Sequence, residues 1–213
     1  MADLANISQN LIDGRAQVVG QLVTDAINEG VLLQSVLNDA LIVGMNEVGR
    51  RFKANEFYVP EVLLAARAMH RAMDILKPLL ADNKVQPRGV VALATIEGDL
   101  HDIGSNLVGM MLEGSGFQVI DLGVDCSAEK FVAAVKEHKP HVVAMSALLT
   151  TTMTNMKTTI AALNEAGVRK SVKVMVGGAP LTQRYADEIG ADGYAPDAAS
   201  AAELAAVLMN KGT

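Results

Sequence analysis

Cysteine is almost missing from this chain, with Cys126 standing alone among 213 residues. A single thiol cannot close an intramolecular disulfide or assemble a thiolate zinc site, so neither device holds this fold together. Aromatic residues are scarce at 3%, with no tryptophan. That suits helix packing and buried parallel strands better than a ring-lined recognition surface. Positive charge is also short: 18 Lys and Arg face 24 Asp and Glu, for a formal net charge of −6. The densest basic stretch, "VGRRFK", reads as one face near a helix end, so binding to nucleic-acid phosphates is not expected. No run approaches the roughly 20 apolar residues of a membrane span. The N-terminal "MADLANISQNLIDG" lacks the basic segment and apolar core of a secretory leader. A soluble, cytoplasmic protein with no nucleic-acid and no membrane partner is expected. Repeats and low-complexity tracts are missing too.

What is present divides into two halves of different period. Half of the residues are hydrophobic and 20% are charged, an ordinary globular balance. Through the first eighty or so residues, apolar positions recur at steps of three and four. Leu37, Leu41, Met45, Val48 and Phe52 form one set; Val62, Ala66, Met69, Met73, Leu76 and Leu80 form another. Each lines one face of an amphipathic helix. With Gly14 and Gly30 as punctuation, the spacing predicts about four helices in a small bundle over residues 1–83. Pro60, after the apolar triplet Phe57, Tyr58 and Val59, fits the first turn of the last helix.

The polar segment "ADNKVQPRG" predicts a linker, placed at residues 84–88. Beyond it, over residues 89–213, short apolar runs alternate with longer helical patterns. The runs are "VVALATI", "FQVIDLG", "HVVAMSAL", "VKVMVGGA" and the weaker "DGYA". The helical patterns span 103–113, 128–137, 152–166, 181–189 and 198–209. Strands alternating with helices imply βαβ units. The expected fold is α/β: a four-helix bundle followed by a doubly wound, five-stranded parallel sheet of Rossmann or flavodoxin type. In a 2-1-3-4-5 strand order, the loops after strands one, three and four would share one crevice, where such sheets bind ligands.

Polar chemistry gathers in those loops. After strand one comes "EGDLHDIG", after strand three "SALLTTT", after strand four "GGAP". His101 is the strongest metal donor among them. Asp99 can take one ring nitrogen and leave the other free, a pairing that fixes the tautomer and raises ligand basicity. One histidine cannot hold a bare ion that needs three or four protein ligands. A metal whose other ligands belong to a macrocycle suits it better. Local chemistry alone leaves plainer readings open. Asp99 and Asp102 also fit as helix caps, Gly104 as a close-packing residue, Gly177 and Gly178 as a tight turn, and Ser146 as a strand-end hydroxyl.

Spacing ties these residues together. Asp99-x-His101-x-x-Gly104 is followed by 41 residues, then Ser146-x-Leu148, then 28 residues, then Gly177-Gly178. This set resembles the signature of cobalamin-binding domains in which a protein histidine displaces the cofactor's own base. The resemblance implies cobalamin, as methylcobalamin, cob(I)alamin or a related corrinoid. It makes His101 the lower axial cobalt ligand, with Asp99 and Ser146 tuning it. It also implies binding contacts from Gly98, Asp102, Ile103, Gly104, Leu148, Thr150, Gly177, Gly178, Ala179, Tyr194 and Ala195, with the displaced nucleotide tail between the third and fourth strand loops. Upstream, "MNEVGRRFKANEFYVPEVLLAARAM" is similar to the helical methyl cap of methionine synthase and of the small corrinoid proteins of methylamine and methanol systems. Met45, Phe52 and Val59 would face the cofactor there. Glu97 and Ser105 depart from the family pattern, where lysines are common.

The implied role is a corrinoid methyl carrier in methanogenesis, acetogenesis or related one-carbon metabolism. It would accept a methyl group on Co(I) from a substrate-specific methyltransferase and give it up from methyl-Co(III) to an acceptor methyltransferase. A reductive activase would restore the carrier, and the chain would have no catalytic residue of its own. A cobalamin sensor or regulator and a mutase subunit remain the alternatives. The first would call for an output domain and the second for a barrel.

Overall fold

A computed structural model of the protein describes residues 3–82 and 87–210. It resolves into two compact units. One holds the chain through Arg88 together with Gly114–Gly116; the other holds Gly89–Glu113 and the chain from Phe117 onward. Residues 84–86 of the expected linker lie outside the described residues.

The first unit is helical. α1 (Leu4–Ile12) starts at Asp3, whose carboxylate accepts the Asn6 amide at 3.1 Å, an N-cap that satisfies one orphan donor. α2 (Ala16–Asn28) follows. Then α3 (Leu33–Ser35), a π-helical stretch (Val36–Ile42) and α4 (Val43–Lys53) run on without a break, and α5 (Val59–Asp82) completes the bundle. Pro60 sits in the first turn of α5 as expected. The apolar interior includes Leu11, Val19, Val23, Met45, Val48, Val62, Met69 and Leu76, all buried. The π stretch corrects one detail of the periodicity. Its wider turn puts Val36, Ala40 and Leu41 in the core and leaves Leu37 half-buried.

The basic stretch before α5 is neutralised locally. Glu47 accepts from Arg50 and Arg51, both at 2.8 Å, and Arg50 reaches Glu56 at 3.0 Å. The Arg51 guanidinium lies 5.2 Å from the centre of the Phe57 ring.

The second unit is built on five parallel strands in the order β2-β1-β3-β4-β5. They are β1 (Val90–Thr95), β2 (Gln118–Asp121), β3 (Val142–Ser146), β4 (Lys173–Gly177) and β5 (Gly193–Ala195). The connecting helices are α6 (Ile103–Gly114), α7 (Ala128–His138), α8 (Asn155–Glu165), α9 (Gln183–Ile189) and α10 (Ala198–Asn210). Both sheet faces are covered, which is why the strands read as unbroken apolar runs. On one face Ala94, Val143, Met145, Val174 and Val176 meet Phe131 of α7, Met156, Ile160 and Leu163 of α8 and Ile189 of α9. On the other, α6 brings Gly109 close enough that a Cβ there would lie 3.4 Å from Leu93, and Leu204 of α10 lies over Gly193. The reversal between β1 and β3 sets the crevice at the carboxyl ends of the strands.

Candidate functional site

β1 ends at Thr95, and after Ile96 the chain turns through Gly98 at φ 79°. The turn drops Asp99 into the interior, where it is fully buried. A buried carboxylate is costly unless its lone pairs are filled, and here they are. Oδ1 accepts the His101 ring Nδ1–H at 2.6 Å and the His101 amide at 3.1 Å. Oδ2 accepts the Leu148 amide at 2.8 Å, the Thr152 hydroxyl at 2.7 Å and, more weakly, the Leu149 amide at 3.4 Å. Burial pushes the Asp99 carboxyl upward. The donors from Leu148, Thr152 and His101 outweigh it and hold the group well below the usual carboxylate range.

An ionised Asp99 can only accept, so His101 carries a proton on Nδ1, and the lone pair of the neutral ring lies on Nε2. The His101 side chain is 51% exposed, and among the described residues Nε2 has no hydrogen-bond partner. The ring is therefore oriented, electron-rich and open on the side a metal would occupy. Among the described residues, no group of three or more His, Cys, Asp or Glu side chains is placed to hold an ion. This donor set suits a metal that brings most of its ligands with it.

The surroundings fit a broad, largely apolar cofactor. Leu100, Ile103, Leu148 and Leu149 are exposed at 72%, 76%, 45% and 42%, an uncommon grouping for side chains normally driven inward. A Cβ on Gly104 would meet nothing within 4 Å, so close packing does not explain this glycine, and the space above the start of α6 is open. Asp102 is exposed beside it and Thr150 is exposed on the β3–α8 loop.

The glycine pair has a role before any ligand arrives. Gly178 has φ 129°, and a Cβ there would fall 1.8 Å from the Ala147 carbonyl oxygen. Only glycine lets the β4–α9 loop lie against the β3–α8 loop. At Gly177 a Cβ would stand 3.0 Å from the Ala195 carbonyl oxygen. Ala179 is exposed at the loop, Ala195 is buried, and Tyr194 packs partly buried against the sheet core.

Ser146 is the one tuning residue placed differently from expectation. It ends β3, and its carbonyl accepts the Ile96 amide at 2.9 Å, but its hydroxyl makes no bond to Asp99. Thr152 supplies that hydroxyl instead. The loop after β3 folds back before α8 begins at Asn155, so the expected helix over 152–166 starts later and Thr152 belongs to the turn over Asp99. Other contributors carried no motif. Asp125, at φ 49°, accepts the Gly98 amide at 2.7 Å and donates its own amide to the Asp99 carbonyl. Asn155 donates to the Glu97 carbonyl at 2.9 Å. Cys126 is buried, and burial pushes its thiol up to about 11, so it offers no thiolate near neutral pH.

In the helical unit Met45 is fully buried, Phe52 half-buried and Val59 exposed at 37%. Phe52 and Val59 are thus not fully enclosed by the helices.

A B12 binding domain model matches residues 89–203, and a second B12 binding domain model matches residues 4–77. The chain belongs to the B12-binding corrinoid proteins of methyltransferase systems. It is 41% identical to a corrinoid protein of Desulfitobacterium hafniense, covering 99% of both chains. It is also 41% identical to the trimethylamine corrinoid protein of Methanosarcina barkeri, covering 97% of this chain and 96% of that one. Among solved structures, a cobalamin-binding protein from Desulfitobacterium hafniense superposes with a TM-score of 0.82 at 33% identity, covering 98% of this chain and 99% of that one. A chain of the methanol:cobalamin methyltransferase complex from Methanosarcina barkeri gives 0.83 at 32% identity, covering 97% of this chain and 79% of that one. This corrinoid protein binds cobalamin or a related corrinoid, and the donor set around His101 is chemically suited to it. No helix is long and apolar enough to cross a membrane among the described residues.

Proposed function

We propose that this corrinoid protein is a methyl carrier working between two methyltransferases, with His101 as the lower axial ligand of its cobalt. The observation that carries this reading is the pairing of buried Asp99 with His101, which leaves Nε2 open at the strand ends. When bound, the corrinoid supplies a cobalt that takes up and releases a methyl group. The chain's own residues do the rest. Asp99 fixes the orientation of the ring and holds the proton on Nδ1. Thr152 and the Leu148 amide keep Asp99 charged. Leu100, Ile103 and Leu148 offer apolar contact to a flat macrocycle, and the Gly177–Gly178 region would border the nucleotide tail.

Residues 1–83 would act as a methyl cap that includes Met45, Phe52 and Val59, with 84–88 as the linker to a cobalamin domain over 89–213. The relatives named for trimethylamine, dimethylamine and methanol systems support a small methylated donor, a donor-side methyltransferase and an acceptor-side methyltransferase. A reductive activase and a cytoplasmic setting complete this reading. The test is a label chase. With labelled methylamines or methanol and the matching methyltransferase, label should co-elute with the corrinoid-loaded chain and leave it when an acceptor methyltransferase is added. A loaded wild-type chain that takes no label from any of these donors would overturn the carrier role.

A further inference from the structure

His101 is held by more than its ring. Its amide donates to Asp99 Oδ1 at 3.1 Å, and its carbonyl accepts the Thr95 hydroxyl at 2.9 Å. Thr95 is fully buried at the end of β1, paired in register with Ser146 of β3. Its own amide donates to the Gly123 carbonyl at 3.0 Å, and its carbonyl accepts the Cys126 amide at 3.0 Å. It is a fixed point of the sheet. Ser105, 6% exposed, places its hydroxyl 3.1 Å from that of Thr95 and donates to the Asp102 carbonyl at 3.0 Å. Two buried hydroxyls therefore grip the successive carbonyls of His101 and Asp102, while the loop's side chains Leu100, His101 and Ile103 stand in the open.

We infer that Thr95 and Ser105 are positioning residues that hold the His101 main chain in its ligating place whether or not the cofactor is bound. Asp99 aims the ring, and the two hydroxyls hold the peptide that carries it. A free loop would have to lose several backbone torsions each time the ring engaged the metal. A clamped loop has already lost them. This rests on His101 being the axial ligand. The serine is specific in its consequence: a long side chain at 105 could not occupy the same buried slot beside Thr95 and donate to the Asp102 carbonyl.

The test uses the full chain with Thr95→Val, Ser105→Ala and the conservative Thr95→Ser. In the cofactor-free protein, amide hydrogen exchange over residues 100–105 should speed up about fivefold in Thr95→Val, the factor one hydrogen bond of ordinary net strength carries. Ser105→Ala should show a smaller increase, and Thr95→Ser should return to the wild-type rate. In cob(II)alamin-loaded protein, the share of the electron paramagnetic resonance signal split by a protein nitrogen should fall in the same order at equal bound corrinoid. Unchanged exchange and unchanged splitting in a folded Thr95→Val or Ser105→Ala protein would overturn the clamp. A wild-type protein that binds cobalamin without a protein-nitrogen splitting would instead remove the ligand assignment on which the inference rests.

Discussion

At the scale of single residues, Asp99 decides how the site behaves. Its folded-state pKa is depressed, so the unfolded chain binds more protons in the acid range. The stability it contributes is full above the ordinary aspartate value of about 4 and is lost as pH falls through that value toward the depressed one. Thermal melts of the cofactor-free protein should therefore drop steeply below about pH 4, and Asp99→Asn should flatten that acid limb while lowering stability near neutrality. Parallel melting curves for the two proteins would remove the carboxylate from this role. The same substitution should weaken histidine ligation about tenfold to a hundredfold, the usual cost of losing a partner behind a metal-bound imidazole.

Gly178 acts at the same scale through sterics alone. A methyl placed 1.8 Å from the Ala147 carbonyl cannot be accommodated unless the two loops part. Gly178→Ala should cost more than about 3 kcal/mol of folding stability, read in a urea titration, together with loss of corrinoid retention. A melt within experimental error of wild type would contradict the loop contact.

Among elements, the β3–α8 loop carries the surprise. The five strands and the helices between them were legible, because two-sided burial leaves unbroken apolar runs and amphipathic helices leave a 3.6-residue period; the strand order entered only as a condition, which the structure meets. The pairing of Asp99 with His101 was legible because a carboxylate two residues before an imidazole can take its ring N–H, while the cobalt role of His101 came from the family resemblance. Thr152 was not. Nothing in "SALLTTTMTN" tells which of its hydroxyls a folded loop turns toward a carboxylate. Ser146 looked suitable from the linear pattern, but it ends a strand whose backbone is already committed to neighbouring strands. The π stretch was equally hidden, since widening one turn moved Val36 inward and Leu37 outward without changing the composition of the helix. Thr152→Val removes the neutral hydroxyl donor from Asp99 Oδ2 and leaves the amide bonds. It should cost about 1.5–3 kcal/mol, the range for a hydrogen bond to a charged group, and Thr152→Ser should recover most of it. If Ser146→Ala proved as damaging as Thr152→Val, the assignment between the two would reverse.

The whole molecule has a helical unit with its own core and a sheet unit that carries His101 and the residues bonded to it. Both units match B12 binding domain models, and full-length relatives share the whole span. The central claim is that the protein's histidine, and not the cofactor's own base, ligates the cobalt. One measurement tests it directly: the electron paramagnetic resonance spectrum of cob(II)alamin bound to protein whose histidines carry the heavy nitrogen isotope. Ordinary nitrogen splits each cobalt line into a triplet and the heavy isotope into a doublet. The account predicts doublets in the labelled wild-type protein and their loss in His101→Ala. Triplets that persist despite the label, or doublets that survive in His101→Ala, would contradict it.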